Sequence, residues 1–152
     1  MVSLSLPERG VLKVLCLGAH SDDIEIGCAA TLRKLARRRG GIELEWVVLG
    51  ADRESRAAEA RASFEALLRG VVKKRFTVKG FRDGHFPFHG SAVKDCIEGF
   101  KRTRPDVIFT HQREDLHQDH RVVAELTWNT WRNHFVLEYE IPKYDGGLGS
   151  PS

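Results

Sequence analysis

The sequence predicts an α/β domain built on a mainly parallel sheet, and three observations support this. Short apolar runs alternate along the chain with segments of helical length and periodicity, the pattern of strand–helix–strand crossovers. Two polar clusters, His20-Ser21-Asp22-Asp23 and His117-Gln118-Asp119-His120, each follow such an apolar run and therefore stand at strand ends. No repeat or linker divides the 152 residues, so residues 1–152 are taken as one domain, large enough to bury roughly two-thirds of its unfolded surface.

The elements follow in order. Leu12 to Leu17 is apolar apart from Lys13, which suits a strand covered on both faces, and it ends at Gly18-Ala19 just before His20. From Ile24 to Arg39 the spacing turns helical, with Ile24, Cys28 or Ala29, Leu32, Leu35 and Ala36 on one side and Gly40-Gly41 as the stop. Glu43 to Leu49 predicts a second strand, followed by a polar loop from Gly50 to Glu54 and a helix from Ser55 to Leu68. Phe76 to Val78 is a short third strand, and Phe81 to Gly90 has the Gly, Pro and His content of a functional loop. A helix spans Ala92 to Thr103, a strand Asp106 to Thr110, and a further helix carries Val122, Val123, Leu126 and Trp131. Phe135 to Tyr144 is an extended tail.

Composition narrows the function. The net charge of +3 is mild, and its basic clusters, Arg33-Lys34 with Arg37-Arg38-Arg39 and Lys73-Lys74-Arg75, are expected at solvated element ends, where cations oppose the helix dipole. No interleaved aromatics accompany them, so nucleic-acid binding is not expected. Cys16, Cys28 and Cys96 are odd in number and widely spaced, which fits buried thiols rather than a disulfide framework. With no signal peptide and no apolar run of ~20 residues, a soluble cytoplasmic protein without a membrane span is expected. Self-association into a homo-oligomer is left open.

The two clusters supply imidazole and carboxylate donors, the usual ligands of a catalytic divalent metal that keeps an open position for water. Such a metal lowers the pKa of water and polarises a carbonyl, and amide hydrolysis also needs a base and a donor to the leaving amine. Asp22 and Asp23 are adjacent and cannot face the same way, so one is free to hold metal while the other meets the water. His117 and His120, three apart at a helix start, share a side.

The stretch Gly18-Ala-His-Ser-Asp-Asp-Ile-Glu-Ile-Gly27, together with His111-Gln-Arg-Glu-Asp-Leu-His-Gln-Asp-His120, resembles the PIG-L/LmbE-like family of metal-dependent deacetylases, marked by His-x-Asp-Asp and a late His-x-x-His. The resemblance runs from about residue 12 to 145. It implies a Rossmann-like three-layer sandwich and removal of N-acetyl groups from N-acetylglucosamine units, with Zn2+ as cofactor. By position it makes His20, Asp23 and His120 the metal ligands and Asp22 the base. His117 protonates the leaving amine or stabilises the oxyanion, and Asp119 tunes it through a hydrogen bond. Arg56 and Asp83 match substrate-contacting residues. His111 lines the site without ligating.

Some positions depart from the pattern. Ser21 stands where many members carry proline, and Ala29-Ala30 replace a frequent Gly-Gly. Members also continue well beyond the segment matching Tyr139 to Asp145, in a portion that walls the pocket, so the sequence given is expected to bind metal yet turn over slowly. The same donor set describes non-haem iron, so Fe2+ or another divalent ion stays open. Two other functions stay open as well: hydrolysis of another small amide, and a noncatalytic metal-binding module.

Overall fold

The computed structural model describes residues 10–37, 41–51 and 53–142. Five strands, β1 (Leu12–His20), β2 (Ile42–Gly50), β3 (Lys73–Val78), β4 (Val107–His111) and β5 (Phe135–Tyr139), form one sheet in the order β3-β2-β1-β4-β5. All four pairings are parallel. The helices are α1 (Asp23–Gly27), α2 (Ala29–Ala36), α3 (Glu54–Leu67), α4 (Gly90–Glu98) and α5 (Gln118–Thr130).

Strands apolar at both parities are what a sheet covered on both faces requires. Leu12, Val14 and Cys16 of β1, with Leu44, Trp46 and Val48 of β2, pack into a core containing Leu32 and Phe64 of α2 and α3. The intervening Leu15, Leu17, Val47 and Leu49 pack on the other side with Val93 and Ile97 of α4, Val123 of α5 and Trp131. The result is a Rossmann-like three-layer sandwich. Cys16 and Cys28 are buried, Cys96 is partly so, and all three thiols are free.

Several boundaries differ from those the sequence predicts. β1 runs on to His20, because Gly18 and His20 register with Val48 and Gly50. A Cβ on Gly50 would stand 2.8 Å from the Ala19 carbonyl oxygen, so glycine is what lets the two strand ends run side by side. Lys73-Lys74-Arg75 is not a solvated element end but the first half of β3, opposite Glu43, Leu44 and Glu45. There Arg75 Nε lies 3.6 Å from Glu45 Oε2, and charge of this kind suits an edge strand. The helix expected to carry Val122, Val123, Leu126 and Trp131, with His117 and His120 at its start, runs from Gln118 to Thr130, so that it takes in His120 and ends just before Trp131. The one expected over Ala92 to Thr103 ends at Glu98 and tightens into a 3₁₀ turn, Gly99–Thr103. The tail is a true strand as far as Tyr139, while Lys143 and Tyr144 lie outside the described residues.

The helix predicted from Ile24 to Arg39 is two helices, broken at Cys28 (φ −143°, ψ 3°). Its last predicted residues, Arg38 and Arg39, lie outside the described residues. At the break Gly27 is pressed against the Tyr139 ring, where a Cβ would overlap it. Moving that ring would break the hydrogen bond from Tyr139 Oη to the Leu17 carbonyl, at 2.7 Å. Gly27→Ala is therefore expected to lower unfolding stability by roughly 1–3 kcal/mol. A lowered urea midpoint at unchanged m-value would record it, and an unchanged midpoint would mean the ring yields freely.

With β2 on one side of β1 and β4 on the other, the strand order reverses at β1. In open parallel sheets this opens a crevice at the strands' carboxyl ends. His20 ends β1 and His111 ends β4.

Candidate metal centre

The crevice brings His20, Asp23 and His120 together. His20 Nδ1 is 3.2 Å from His120 Nε2 and 3.6 Å from Asp23 Oδ2, and His120 Nε2 is 3.5 Å from Asp23 Oδ1. Donors held at 2.0–2.2 Å by one tetrahedral ion stand roughly 3.3–3.6 Å apart, so the three side chains fit a zinc-sized cation. Each comes from a different element: the end of β1, the first residue of α1 and the first turn of α5.

Neighbouring carboxylates fix the two imidazoles. His120 Nδ1 is 2.9 Å from Asp115 Oδ2, and His20 Nε2 is 3.1 Å from Asp119 Oδ2. A carboxylate accepts, so these contacts assign the ring protons to His120 Nδ1 and His20 Nε2 and leave bare nitrogens facing each other and Asp23. Asp23 itself accepts the His20 backbone N–H on Oδ2 at 2.6 Å.

The surroundings shift the three groups differently. Burial would raise the Asp23 carboxyl, but the imidazoles of His111, His120 and His20 outweigh it and hold the group well below the usual carboxylate range. Burial and the adjacent His111 push the His120 imidazole down to about 4, against the pull of Asp23 and Asp115. It is therefore neutral at pH 7, as a ligand must be. Burial would lower His20 too, but the Asp119 hydrogen bond, with Asp23 and Asp83, raises it.

The other residues singled out from the sequence differ in placement. Asp22 is exposed at the N-cap of α1 with no side-chain capping bond, while its neighbour Asp23 is buried, so the pair does divide in direction. His117 is the N-cap of α5 rather than part of it, yet its ring stacks on His120 with centroids 4.5 Å apart. Asp83 Oδ1 comes within 3.0 Å of His20 Nε2 and 4.0 Å of His117 Nε2. Arg56, by contrast, is exposed on α3 and pairs with Glu59 at 3.9 Å.

One expectation needs correction. The bond between Asp119 and His117 runs from the Asp119 backbone N–H to His117 Nδ1, at 3.2 Å, and not from the carboxylate. The Asp119 carboxylate instead accepts from Gly84 N at 2.7 Å and Phe86 N at 3.1 Å and reaches His20, because the 83–86 loop folds over it. The capping bond has a chemical consequence. His117 Nδ1 is an acceptor, so the neutral ring carries its proton on Nε2. Burial and His20 together lower its pKa.

Asp115 and Tyr139 were missed. Asp115 is buried, and besides clamping His120 it accepts the His117 backbone N–H on Oδ1 at 2.8 Å. A carboxylate two residues before one histidine and five before another, at a helix start, was the available signal. Tyr139 gave none, since only the β4–β5 register brings it to the site, opposite His111. Because Asp115 fixes the His120 ring, Asp115→Asn is expected to weaken any zinc binding there about 10–100-fold, measured by competition with a chromophoric chelator. Unchanged affinity would remove Asp115 from that role.

Fold and site together define a class: an α/β domain that gathers two histidines and a carboxylate at the switch point of a parallel sheet. The model of the PIG-L family, described as GlcNAc-PI de-N-acetylase, matches residues 15–131, and the chain belongs to that family. It is 29% identical over 140 residues to an uncharacterised deacetylase, YaiS, of Escherichia coli K12, covering 85% of this chain and 74% of that protein. Its fold superposes on the N,N'-diacetylchitobiose deacetylase of Pyrococcus horikoshii with a TM-score of 0.60 and 27% identity, over 79% of this chain and 49% of the other. A deacetylase of teicoplanin biosynthesis shares the fold at 18% identity, with a TM-score of 0.68 over 91% of this chain and 69% of that one. The chain thus spans about half the length of the Pyrococcus enzyme.

Proposed function

We propose that the chain hydrolyses the N-acetyl group of an N-acetylglucosamine-type sugar or sugar conjugate, with a divalent cation, zinc in the first instance, held by His20, Asp23 and His120. The observation that carries this reading is the meeting of two bare imidazole nitrogens and a carboxylate, 3.2–3.6 Å apart, at the reversal of strand order. Membership of the PIG-L family and the sugar deacetylase of Pyrococcus horikoshii among its structural neighbours point to the same chemistry.

When bound, the cation supplies Lewis acidity, which acidifies water and polarises an acyl oxygen. The chain's own residues do the rest. Asp22 takes a proton from the attacking water on its carboxylate as the water oxygen bonds to the acyl carbon. His117, a neutral ring whose Nδ1 is held by the Asp119 N–H, presents Nε2–H to the developing oxyanion, and the proton taken up by Asp22 passes to the nitrogen as the C–N bond breaks, releasing acetate and the free amine. Asp119 steadies His20 by a hydrogen bond and His117 by its charge. Asp83, largely exposed beside His20, accepts from a sugar hydroxyl, and Arg56 supplies a second substrate contact from α3.

The donor set also suits Fe2+, so the loading experiment includes it. Among the described residues no helix is long and apolar enough to cross a membrane. Three free thiols fit a cytoplasmic setting. The test is free amine released by zinc-loaded protein from N-acetylglucosamine derivatives and from a panel of other small acetamides. Release confined to the sugars is the expected result. Release confined to other acetamides moves the substrate class, and none at all with cation bound makes the chain a noncatalytic binding module.

A further inference from the structure

We infer that His111 is a positioning residue that sets the two histidines of the cation triad from behind, an inference that rests on the cation site proposed above. It arises from the way β1 and β4 part. Their register ends at Cys16 opposite Phe109, whereas β1 and β2 stay paired as far as His20 and Gly50. Beyond Cys16 the strand that carries His20 has lost its partner on one side. Unpaired buried backbone groups are costly, and here two side chains replace the missing ladder. Tyr139 Oη donates to the Leu17 carbonyl at 2.7 Å, and the Ala19 N–H donates to His111 Nε2 at 3.0 Å.

The His111 ring, wholly buried, touches each triad member or its support. Through Ala19 it holds the backbone that leads into His20. Its face stacks on His120 with centroids 3.9 Å apart and planes 16° apart, and its Nε2, which accepts the Ala19 N–H and so has no proton to offer, packs 3.1 Å from Asp23 Oδ2. Tyr139 Oη, 3.3 Å from the same nitrogen, backs the ring. His111, Asp23 and His120 lie close enough together for a cation to be considered among them. The Ala19 N–H, however, already occupies the His111 lone pair, and a backbone donor in a strand cannot turn away. His111 therefore acts on the triad without ligating.

The test compares zinc affinity in the wild type with that in His111→Phe, His111→Asn and His111→Gln. Phenylalanine keeps the stack but has no polar end. Asparagine is polar but too short to reach Ala19. Glutamine offers an acceptor to the Ala19 N–H near the position of Nε2. Zinc binding is expected to weaken about 10–100-fold in the first two and to recover most of that loss in the third. The visible spectrum of the Co2+-loaded proteins should divide the same way, a signature that a general loss of stability would not produce. Melting curves establish which variants are folded. A folded His111→Phe or His111→Asn protein that binds zinc as the wild type does would overturn the inference, as would a glutamine variant no better than either. If the wild type itself binds no cation, the triad falls and this role with it. If it binds and the variants match it, only the role of His111 falls.

Discussion

Replacing His120 with alanine is expected to abolish zinc-dependent stabilisation and amide hydrolysis together. The His120 ring is buried, its Nδ1 held by Asp115 and its Nε2 turned to His20 and Asp23. An ion present at a hundred times its Kd stabilises the folded protein by about 2.7 kcal/mol. At this chain length that corresponds to a rise of roughly 5–10 °C in Tm. Without one of three donors the gain should fall close to zero. The substitution also leaves a cavity and removes one partner of the buried Asp115 carboxylate, so the variant will melt lower even without zinc. Comparing each protein with and without zinc cancels that loss. His89→Ala, at an exposed histidine outside the cluster, should keep the full shift. A His120→Ala protein that keeps it too would end the assignment of His120 as a ligand.

The sequence carries the site's donors more plainly than the contacts that aim them, and the reason is physical. His20 and Asp23 are three residues apart, as are His117 and His120, so local geometry alone brings each pair to one place once the strand ends are known. An apolar run of two parities marked β1 as a strand covered on both faces, shorter apolar runs marked β2 and β4, and the strand ends followed from them. Asp115 lies within the same short segment and could have been found. Tyr139 could not, because its place opposite His111 depends on the pairing of β4 with β5 across 28 residues of chain. The same holds for the Asp119 carboxylate. Its partners at Gly84 and Phe86 are 35 and 33 residues away, and no spacing rule connects them. The break at Cys28 was hidden for a like reason, since Gly27 reads as an ordinary helical glycine until the ring of Tyr139 is set against it.

Replacing Asp22 with asparagine is expected to lower the turnover of an N-acetyl sugar by about 10²–10⁴-fold while zinc affinity stays near the wild-type value. The two neighbouring carboxylates face different surroundings, and this is what makes the substitution informative. Asp23 is buried against three imidazoles, whereas Asp22 is exposed at the start of α1 and makes no side-chain capping bond. Asparagine has almost the same shape and is as good a residue as aspartate at a helix N-cap, but it cannot take a proton from water. If Asp22 only helped to start α1, Asp22→Asn would leave the rate and the melting temperature alike. If it ligated the cation, zinc binding would fall along with the rate, as for His120→Ala. A base acting on water loses kcat and kcat/KM together, with little change in KM, because its interaction is made in the transition state. Rates of amine release set beside a zinc titration of the same Asp22→Asn preparation separate the three roles.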